Sequence, residues 1–422
     1  MLSDEVVDKV LERLVERIEQ GNRYVLEKMG ASIKKIGTLS PIEAQKVVQM
    51  LKYGGDYEEI VRELSKITDL NVKDIKDIFH EIAKNDYNFA KQFYKYRNKS
   101  FIPYEQNTLL VSKVEALSNM AIGNYLNLTG TSAVGFGWQG LDGTITFKGL
   151  KQTYYDLLDE AVFNVSQGKE TFNEAMYRQL KMLGGSGVKT IYPSTYITYD
   201  ENGNEIIKNR VMRLDSAIRM QMKDALRKLH NEEQLMIGEE IDADGVEVSV
   251  HLNPAPDHAL VQGRQFDNDE FEKFQNDQDA KDVTGMLFPA ISGETGHDRR
   301  AIGQYNCYHY IFSIVIGVNK PQYTGEQLQE IIDKNERGFE FEGQHYTNYE
   351  GTQLQRRLET EIRKQKDTQI LAKASGNKKL IAEAQQKITN LTQKYKELSD
   401  ISGLGTKMDR MRVVGYRRTS VK

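Results

Sequence analysis

The chain is poor in residues that crosslink secreted proteins or interrupt helices. Its 422 residues include one cysteine, seven prolines and one tryptophan. Because a single cysteine, Cys307, excludes an intramolecular disulfide, the sequence is typical of synthesis in a reducing cytoplasm. Because proline breaks the interior of a helix, its scarcity favours a largely helical protein.

Long apolar runs are also missing. No run of about 18 or more apolar residues occurs, so we expect no membrane-spanning helix and no membrane partner. Residues 1–20 are amphipathic and rich in acids, and they lack the basic and then apolar pattern of a secretory signal. Hydrophobic residues make up 39% of the chain and charged residues 28%. This composition and length predict a soluble protein of two or three domains.

The net charge of −4 conceals an uneven distribution of charge along the chain. Residues 351–422 hold 17 lysines and arginines against 7 acidic residues, a net charge of +10, whereas the preceding 350 residues carry −14. A basic tail on an acidic body is typical of a protein that contacts a polyanion or an acidic partner. A solvated helix face has the same composition, so both interpretations stay open at this point.

The first 130 residues have the apolar spacing of amphipathic helices. Within them, 56–85 has the pattern of two or three short helices joined by tight turns, one of which we place at 68–71. A helix-turn-helix DNA reader is one interpretation of this segment. Because Asp74, Asp77 and Glu81 on its second helix would repel phosphate, we favour a helical domain that docks on protein.

A glycine-rich segment follows at 130–144. It lacks the spacing of a phosphate-binding loop, so we interpret it as a bend between helical blocks. Helical periodicity returns over 148–182, and the glycines of 183–187 predict a domain boundary.

The second half mixes strand and helix patterns. Alternation around Asn202-Gly203 predicts a β-hairpin over 195–210, and Glu342-Gly343 marks a second hairpin over 338–347. Two further strands and three helices are predicted from their periodicity. The strands are 246–252 and 310–318, and the helices are Leu214 to about Glu240, 349–374 and 378–398.

These patterns predict a predominantly α-helical α+β protein. Its predicted parts are a helical N-terminal domain for protein docking at 1–130, a helical connector at 131–185, a central mixed domain with a small sheet at 186–348, and a C-terminal helical pair with a basic tail at 349–422. The last residues of that tail, 411–422, are expected to be loosely ordered.

Four of the seven histidines and the only cysteine lie within 251–309. Zinc prefers nitrogen and sulfur ligands, which His251, His258, Cys307 and His309 offer, although their spacing matches no known zinc finger. The same residues have the composition of a cysteine hydrolase, in which Asp257 or Asn306 would orient a histidine beside the thiol. No helix N-terminus directly follows Cys307 to activate it.

We favour a third interpretation of these residues, a hydrogen-bonded loop network that stabilises the fold. Its predicted members are His251, Asp257, His258, Asn306, Cys307 and His309. Under this interpretation the protein has no resident cofactor, and a zinc site remains the alternative.

Six motifs in order carry a resemblance to a known family. They are the helix 214–220, the strand 246–251, Pro256-Asp257-His258, Gln262-Gly263, Ile302-Gly303 with Asn306-Cys307-Tyr308-His309, and Pro321-Gln322-Tyr323-Thr324 ahead of the Gln-, Arg- and Glu-rich helix 353–366. Through them, residues 210–420 resemble the phage minor capsid protein type 2 family of tailed bacteriophages. Tyr308 stands where the family has a basic residue, and Val261 stands where an aromatic residue is expected.

The resemblance implies a low-copy virion protein of the phage head, made in the cytoplasm of the bacterial host. Similar in role to the minor head proteins of Mu-type phages, it would associate with the portal protein and other head proteins. It would assist head assembly, DNA packaging or DNA exit. A basic tail can approach packaged DNA because phosphate contacts need positive charge and no base sequence. The residues expected to contact DNA or portal are Arg410, Arg412, Arg417 and Arg418.

Two other functions stay open on the sequence alone. One is an enzyme or effector carried in the virion, which would use Cys307 and His309 or a bound metal. The other is a nucleic-acid-binding protein outside any virion. A structural and assembly role requires no catalytic residue, and we therefore predict that the protein is not an enzyme.

Overall fold

A computed structural model describes residues 4–419 except 37–38, 40, 54, 131, 140–144, 167–173, 175–176, 179, 182, 184–186, 200–204, 292–298, 305–306 and 308. The helices are α1 (Asp4–Ile36), α2 (Pro41–Tyr53), α3 (Asp56–Tyr96), α4 (Thr108–Thr129), α5 (Leu150–Ser166), α6 (Leu214–Glu240), α7 (Asn268–Gln275), α8 (Gly325–Arg337), α9 (Asn348–Ser375) and α10 (Lys378–Ser402).

Most of the strands are short, and most lie in the second half of the chain. They are β1 (Val134–Gln139), β2 (Ile145–Gly149), β3 (Lys189–Tyr199), β4 (Glu205–Arg213), β5 (Gly245–Val248), β6 (Gln265–Asp267), β7 (Ala280–Lys281), β8 (Leu287–Phe288), β9 (Ile311–Ile314), β10 (Phe339–Phe341) and β11 (Gln344–Tyr346). The strand orders are β2-β1-β3-β4, β6-β5-β9, β7-β8 and β10-β11. The predicted predominantly helical α+β class is confirmed.

Helix α1 lies at the centre of the largest hydrophobic core. Its apolar residues recur every three or four positions, and Leu11, Leu14, Ile18 and Val25 on that face are all buried. This face packs against α3, α5, α6 and α9. The same core reaches Val413, so residues near both ends of the chain share it.

Two smaller cores accompany the first. One surrounds Phe266 between the β6-β5-β9 sheet and α7, and the other surrounds Ile362 and Tyr395 between α9, α10 and β10. The predicted domain boundaries stay predictions. None of the described helices is long and apolar enough to cross a bilayer.

The prediction of several short helices in 56–85 is wrong, because α3 continues unbroken for 41 residues. The predicted turn at 68–71 contains Asn71, which is buried inside the helix. Its amide donates to the Leu14 carbonyl oxygen at 3.2 Å and to the Tyr125 hydroxyl at 3.1 Å, and Arg17 donates to its oxygen at 3.1 Å. Because these distant partners bind the side chain, it does not compete for the helix backbone.

The prediction of a bend at 130–144 is also wrong, because β1 lies there and pairs with β2 and β3. Val134 and Phe136 point into the main core, an alternation that the surrounding glycines concealed. A side chain at Gly135 would collide with the Lys148 carbonyl oxygen on β2. Glycine at this position therefore permits close strand pairing. The connector predicted to be helical at 131–185 contains two strands, β1 and β2, as well as α5.

The strand pairing of both predicted hairpins and the C-terminal helical pair are confirmed, while the predicted Asn202-Gly203 turn lies outside the described residues. Strands β3 and β4 pair antiparallel up to Tyr199 opposite Glu205, and β10 pairs with β11 through Glu342 and Gly343, both at positive φ. Between α9 and α10, Gly376 adopts a left-handed conformation with φ 77°. A glycine at this position ends one helix without steric cost and allows the next to return beside it.

The expectation of a loose tail is wrong as far as residue 419. Met411 and Val413 are buried in two different cores. The backbone N–H of Val414 donates to Glu19 at 3.1 Å, and that of Thr419 donates to Gln385 at 2.9 Å. These contacts fix the tail against α1 and α10, while residues 420–422 lie outside the described part of the chain.

The antiparallel β6-β5-β9 sheet positions the histidine- and cysteine-bearing loops. Both predicted strands exist but are shorter than expected. After β5, the backbone N–H of His251 donates to the side chain of Gln262 at 2.8 Å instead of to a strand neighbour. After β9, the N–H of Val315 donates to the side chain of Asn319 at 2.8 Å and starts a turn. Side-chain acceptors thus end both strands.

Candidate functional site

Two loops beside the β6-β5-β9 sheet bring the candidate residues together. Pro256–His258 forms one turn of 3₁₀ helix on the first loop, and Cys307 and His309 lie on the second, just ahead of β9. Gly303 turns the second loop with φ 85°, and a side chain there would collide with Asn231 of α6. The loop therefore passes tightly over α6.

The sulfur of Cys307 is the centre of the cluster. It accepts backbone N–H groups from Gly303 and His309, each at 3.4 Å. Nδ1 of His258 and Nδ1 of His309 each lie 3.6 Å from the same sulfur. Cys307 is 2% exposed, His258 1% and His309 3%, so the cluster is shielded from solvent.

Hydrogen bonding indicates the tautomer of His258, that is, which of its ring nitrogens carries the proton. Nε2 lies 2.8 Å from the Arg300 carbonyl oxygen, to which it can only donate. In the neutral ring, Nδ1 then presents a lone pair towards Cys307. The Nε2 atom of His309 is buried and has no hydrogen-bond partner within the described residues.

His251 lies at the edge of this cluster. Its ring is half-buried, and its centroid is 4.7 Å from that of His309 in an edge-to-face arrangement. The predicted network members His251, His258, Cys307 and His309 are therefore neighbours in space. Asn306 lies outside the described residues.

Asp257 does not orient a catalytic histidine in this structure. Its two oxygens accept from Nε and Nη2 of Arg300, both at 2.6 Å, whereas Nε2 of His258 lies 3.8 Å from the nearer oxygen. Burial raises the pKa of Asp257, but the Arg300 guanidinium lowers it below its usual value overall. The carboxylate therefore serves an ion pair at the cluster's margin.

Electrostatics separate the roles of the buried groups. Burial raises the pKa of the Cys307 thiol, but its hydrogen bond with His258 and that ring's charge lower it below the usual value overall. Burial lowers the pKa of His258, but its contacts with Cys307 raise it overall. Burial, reinforced by the neighbouring His251, lowers the pKa of His309 to about 2. His309 is therefore a neutral imidazole at ordinary pH.

This arrangement has two chemical capabilities. One ligand atom each from His258, Cys307 and His309 lies within 4.8 Å of the others, which suits a metal ion. The same thiol and imidazole have the polarity of a nucleophile and its base. Nucleophilic attack needs an approach path for substrate, which the burial of Cys307 does not provide.

Two arginines that anchor the loop were not among the site residues predicted from the sequence. Arg299 donates to four carbonyl oxygens, those of Phe274, Gln278, Phe288 and Pro289, at 2.9 to 3.4 Å. Arg300 binds Asp257 and offers its own carbonyl oxygen to His258. Adjacent arginines just ahead of the cysteine loop were the available signal, because a guanidinium supplies several donors in a fixed geometry.

Comparison with known proteins decides the family. The sequence profile described as Phage minor capsid protein 2 matches residues 2–400. The chain belongs to this family. The match includes the helical first half, beyond the 210–420 region where individual motifs are recognisable. No curated protein and no solved structure matches the chain.

The four arginines predicted to contact DNA or portal lie in the tail of this minor capsid protein. All four are exposed. Arg412 lies 3.7 Å from a carboxylate oxygen of Glu12 and 3.4 Å from one of Glu16 on α1. Arg410, Arg417 and Arg418 form no ion pair with any described residue, so their charges face solvent.

Proposed function

We propose that this phage capsid protein is a low-copy component of the head that docks on the portal and contacts packaged DNA. Under this proposal it assists head assembly, DNA packaging or DNA exit and performs no catalysis. Membership of the minor capsid family over residues 2–400 supports the virion role. The docking and DNA contacts are inferred from the surface.

An aromatic stripe on α3 supports docking on another protein. Phe89 is 47% exposed, Phe93 37% and Tyr96 71%. Their spacing of four and then three residues places them on one face near the end of the helix. Adjacent exposed apolar side chains are typical of protein interaction sites, and the buried centres of interfaces are enriched in aromatic residues.

The unpaired arginines of the tail support contact with DNA. Arg410, Arg417 and Arg418 are exposed, and hydrogen bonds at neighbouring residues of the tail fix its backbone against α1, α9 and α10. Each phosphate contact that such a residue makes contributes about 0.9 to the slope of log affinity against log salt concentration. Replacing all three with alanine should reduce that slope by at most about 3. Replacing Lys9, Lys73 and Lys95, which are exposed on α1 and α3, makes the same charge change and should leave it unchanged.

The experiment for docking compares two charge substitutions. Phe89→Glu combined with Tyr96→Glu places charge within the stripe, and Leu260→Glu places it on an exposed leucine elsewhere. Each protein is mixed with purified portal from the source phage, and its Kd is measured by sedimentation. We expect at least tenfold weaker binding for the stripe variant only. Equal binding by all three proteins, or no binding by the unmodified protein, would refute portal docking through α3.

A further inference from the structure

We propose that His258, Cys307 and His309 bind one zinc ion, which fixes the two loops to the β6-β5-β9 sheet. The site is distinct from the docking and DNA-binding surfaces proposed above. Its argument rests on the identity of the donor atoms, the distances between them, their hydrogen-bonded surroundings and their burial.

The two sulfur-to-nitrogen distances fit tetrahedral zinc, while the two imidazole nitrogens, within 4.8 Å of each other, would have to draw closer around the ion. With Zn–S of about 2.3 Å and Zn–N of about 2.0–2.1 Å, a tetrahedral angle separates sulfur from nitrogen by about 3.6 Å. Both Cys307 Sγ to His258 Nδ1 and Cys307 Sγ to His309 Nδ1 measure 3.6 Å. One thiolate with two imidazoles is a donor set that suits zinc. Magnesium and calcium favour oxygen ligands instead.

The surroundings of His258 and Cys307 are those of metal ligands, whereas Nε2 of His309 has no outer partner within the described residues. His258 directs Nε2 at the Arg300 carbonyl oxygen, the outer contact that fixes a ligating imidazole and leaves its other nitrogen for the metal. The Cys307 sulfur accepts two backbone N–H groups, which stabilise a thiolate. A thiol has a single proton and can donate to only one imidazole, so without a metal ion the other ring would have to donate to the sulfur, whereas one cation accepts a lone pair from all three groups.

Another buried histidine, outside the cluster, is hydrogen-bonded to a carboxylate. His230 on α6 lies with Nδ1 2.6 Å from Asp86, so a carboxylate satisfies the ring. In the cluster, the only carboxylate in an ion pair with a described ligand residue is Asp257, which Arg300 already neutralises. Within the described residues, no carboxylate is therefore free to pair with these rings.

Burial indicates a structural ion rather than a catalytic one. All three ligands are at most 3% exposed, and the fourth tetrahedral position is left to a water molecule or to the adjacent ring of His251. The ligands come from two loops about 50 residues apart in sequence, so the ion closes a long loop around the second core. Binding free energy at such a site contributes to folding stability.

The first test measures metal content in the full-length protein. The protein is produced with zinc in the growth medium, and Zn, Fe, Cu, Ni and Co are counted per chain by inductively coupled plasma mass spectrometry. We expect about one zinc per chain, lost in His258→Gln and Cys307→Ser and retained in His345→Gln, an exposed histidine on β11. Absence of zinc, a different bound metal, or retention of zinc in both ligand variants would overturn the proposal.

A second test uses the unmodified protein, in case the ligand variants fail to fold. A chelator strong enough to remove zinc should lower the midpoint of thermal unfolding by roughly 5 °C or more. Added zinc should restore the midpoint, and added magnesium should not. Cobalt in place of zinc should give the sulfur-to-cobalt charge-transfer absorption of a Cys307 ligand. An unchanged midpoint after chelation, or cobalt binding without that absorption, would contradict the assignment.

Discussion

The polar groups of two buried clusters in this protein are paired in different ways. In the first, Arg213 donates to Asp215 at 2.9 Å and also binds Asp367, and Arg363 donates to Asp215 at 2.6 Å. This ion-paired cluster contains two cations and two anions. The second, which we call the Cys307 cluster, consists of the Cys307 thiol and the imidazoles of His258 and His309.

The difference concerns where the compensating charge comes from. Burial raises the pKa of Asp215, but Arg213 and Arg363 lower it to about 2 overall, so the carboxylate stays ionised. The ion-paired cluster is complete within the chain, and it joins β4, α6 and α9. In the Cys307 cluster, the described residues supply the thiol and imidazoles alone, and under our proposal a zinc ion is their shared partner. Buried charges are stable when paired, and a buried polar group without a partner costs free energy.

The largest loss of stability should come from removing one anion of the ion-paired cluster. Asp215→Ala leaves Arg213 and Arg363 buried with insufficient negative charge, and we expect a loss of about 3–5 kcal/mol in the free energy of unfolding at pH 7. Denaturant titration measures this loss. Because the folded pKa of Asp215 is lowered from its usual 3.8 to about 2, its contribution is present above pH 3.8 and declines as pH falls towards 2.

The matched control for this prediction is Glu105→Ala, which removes an exposed carboxylate paired with Lys84 at 2.5 Å. An exposed ion pair contributes at most about 1 kcal/mol. Equal losses for the two variants would show that the buried cluster is not the stabilising element described here.

Glu233 on α6 tests the opposite case, a buried carboxylate without a cation. Its two oxygens have no hydrogen-bond partner in the described chain, and burial, reinforced by Asp86, raises its pKa to about 9. The unfolded chain loses this proton near pH 4.5 and the folded chain near pH 9, so the group lowers stability as pH rises between them. Glu233→Gln should therefore stabilise the protein by on the order of 1–3 kcal/mol at pH 7.

Thermal unfolding of this variant at pH 4 and pH 7 checks the sign. The stabilisation should disappear at pH 4, where both states of the natural protein carry the proton. Glu232→Gln, a partly exposed neighbour that pairs with Lys113 at 3.0 Å, serves as control and should change stability little. A destabilised Glu233→Gln protein at pH 7 would mean that the carboxylate is ionised and paired.

The smallest effect is expected at the surface. Arg412 pairs with Glu12 and Glu16 through side chains that are largely exposed, so Arg412→Ala should cost less than about 1 kcal/mol of stability. Denaturant titration in low and high salt measures this cost, which should shrink further in high salt. A loss comparable with that of Asp215→Ala would remove the contrast between buried and exposed ion pairs.

Local patterns in the sequence predicted the elements whose causes are local. The α9–α10 pair follows from a left-handed Gly376 and from Asn377, whose side chain accepts the Leu380 N–H at 3.0 Å. The continuity of α3 was not predictable, because Asn71 is satisfied by residues more than 50 positions away. Arg213 and Asp367 are likewise 154 residues apart.

The candidate site shows the same division. Scarce histidines and the cysteine identified His251, His258, Cys307 and His309 as one group before their distances were known. The position of the His258 and His309 rings at 3.6 Å from the Cys307 sulfur depends on the loop that Arg299 anchors to four carbonyl oxygens. The adjacent arginines were a signal of that anchor, but nothing in the sequence identifies its partners, because they are backbone atoms available at any residue.

Quantitative mass spectrometry of purified source-phage particles tests the central functional claim most directly. Copies of this protein are counted per particle against the portal and the major capsid protein. We predict a few copies per particle, comparable in number with the portal subunits and far below the major capsid protein. Absence from particles, or a copy number close to that of the major capsid protein, would contradict a minor head component that acts at the portal.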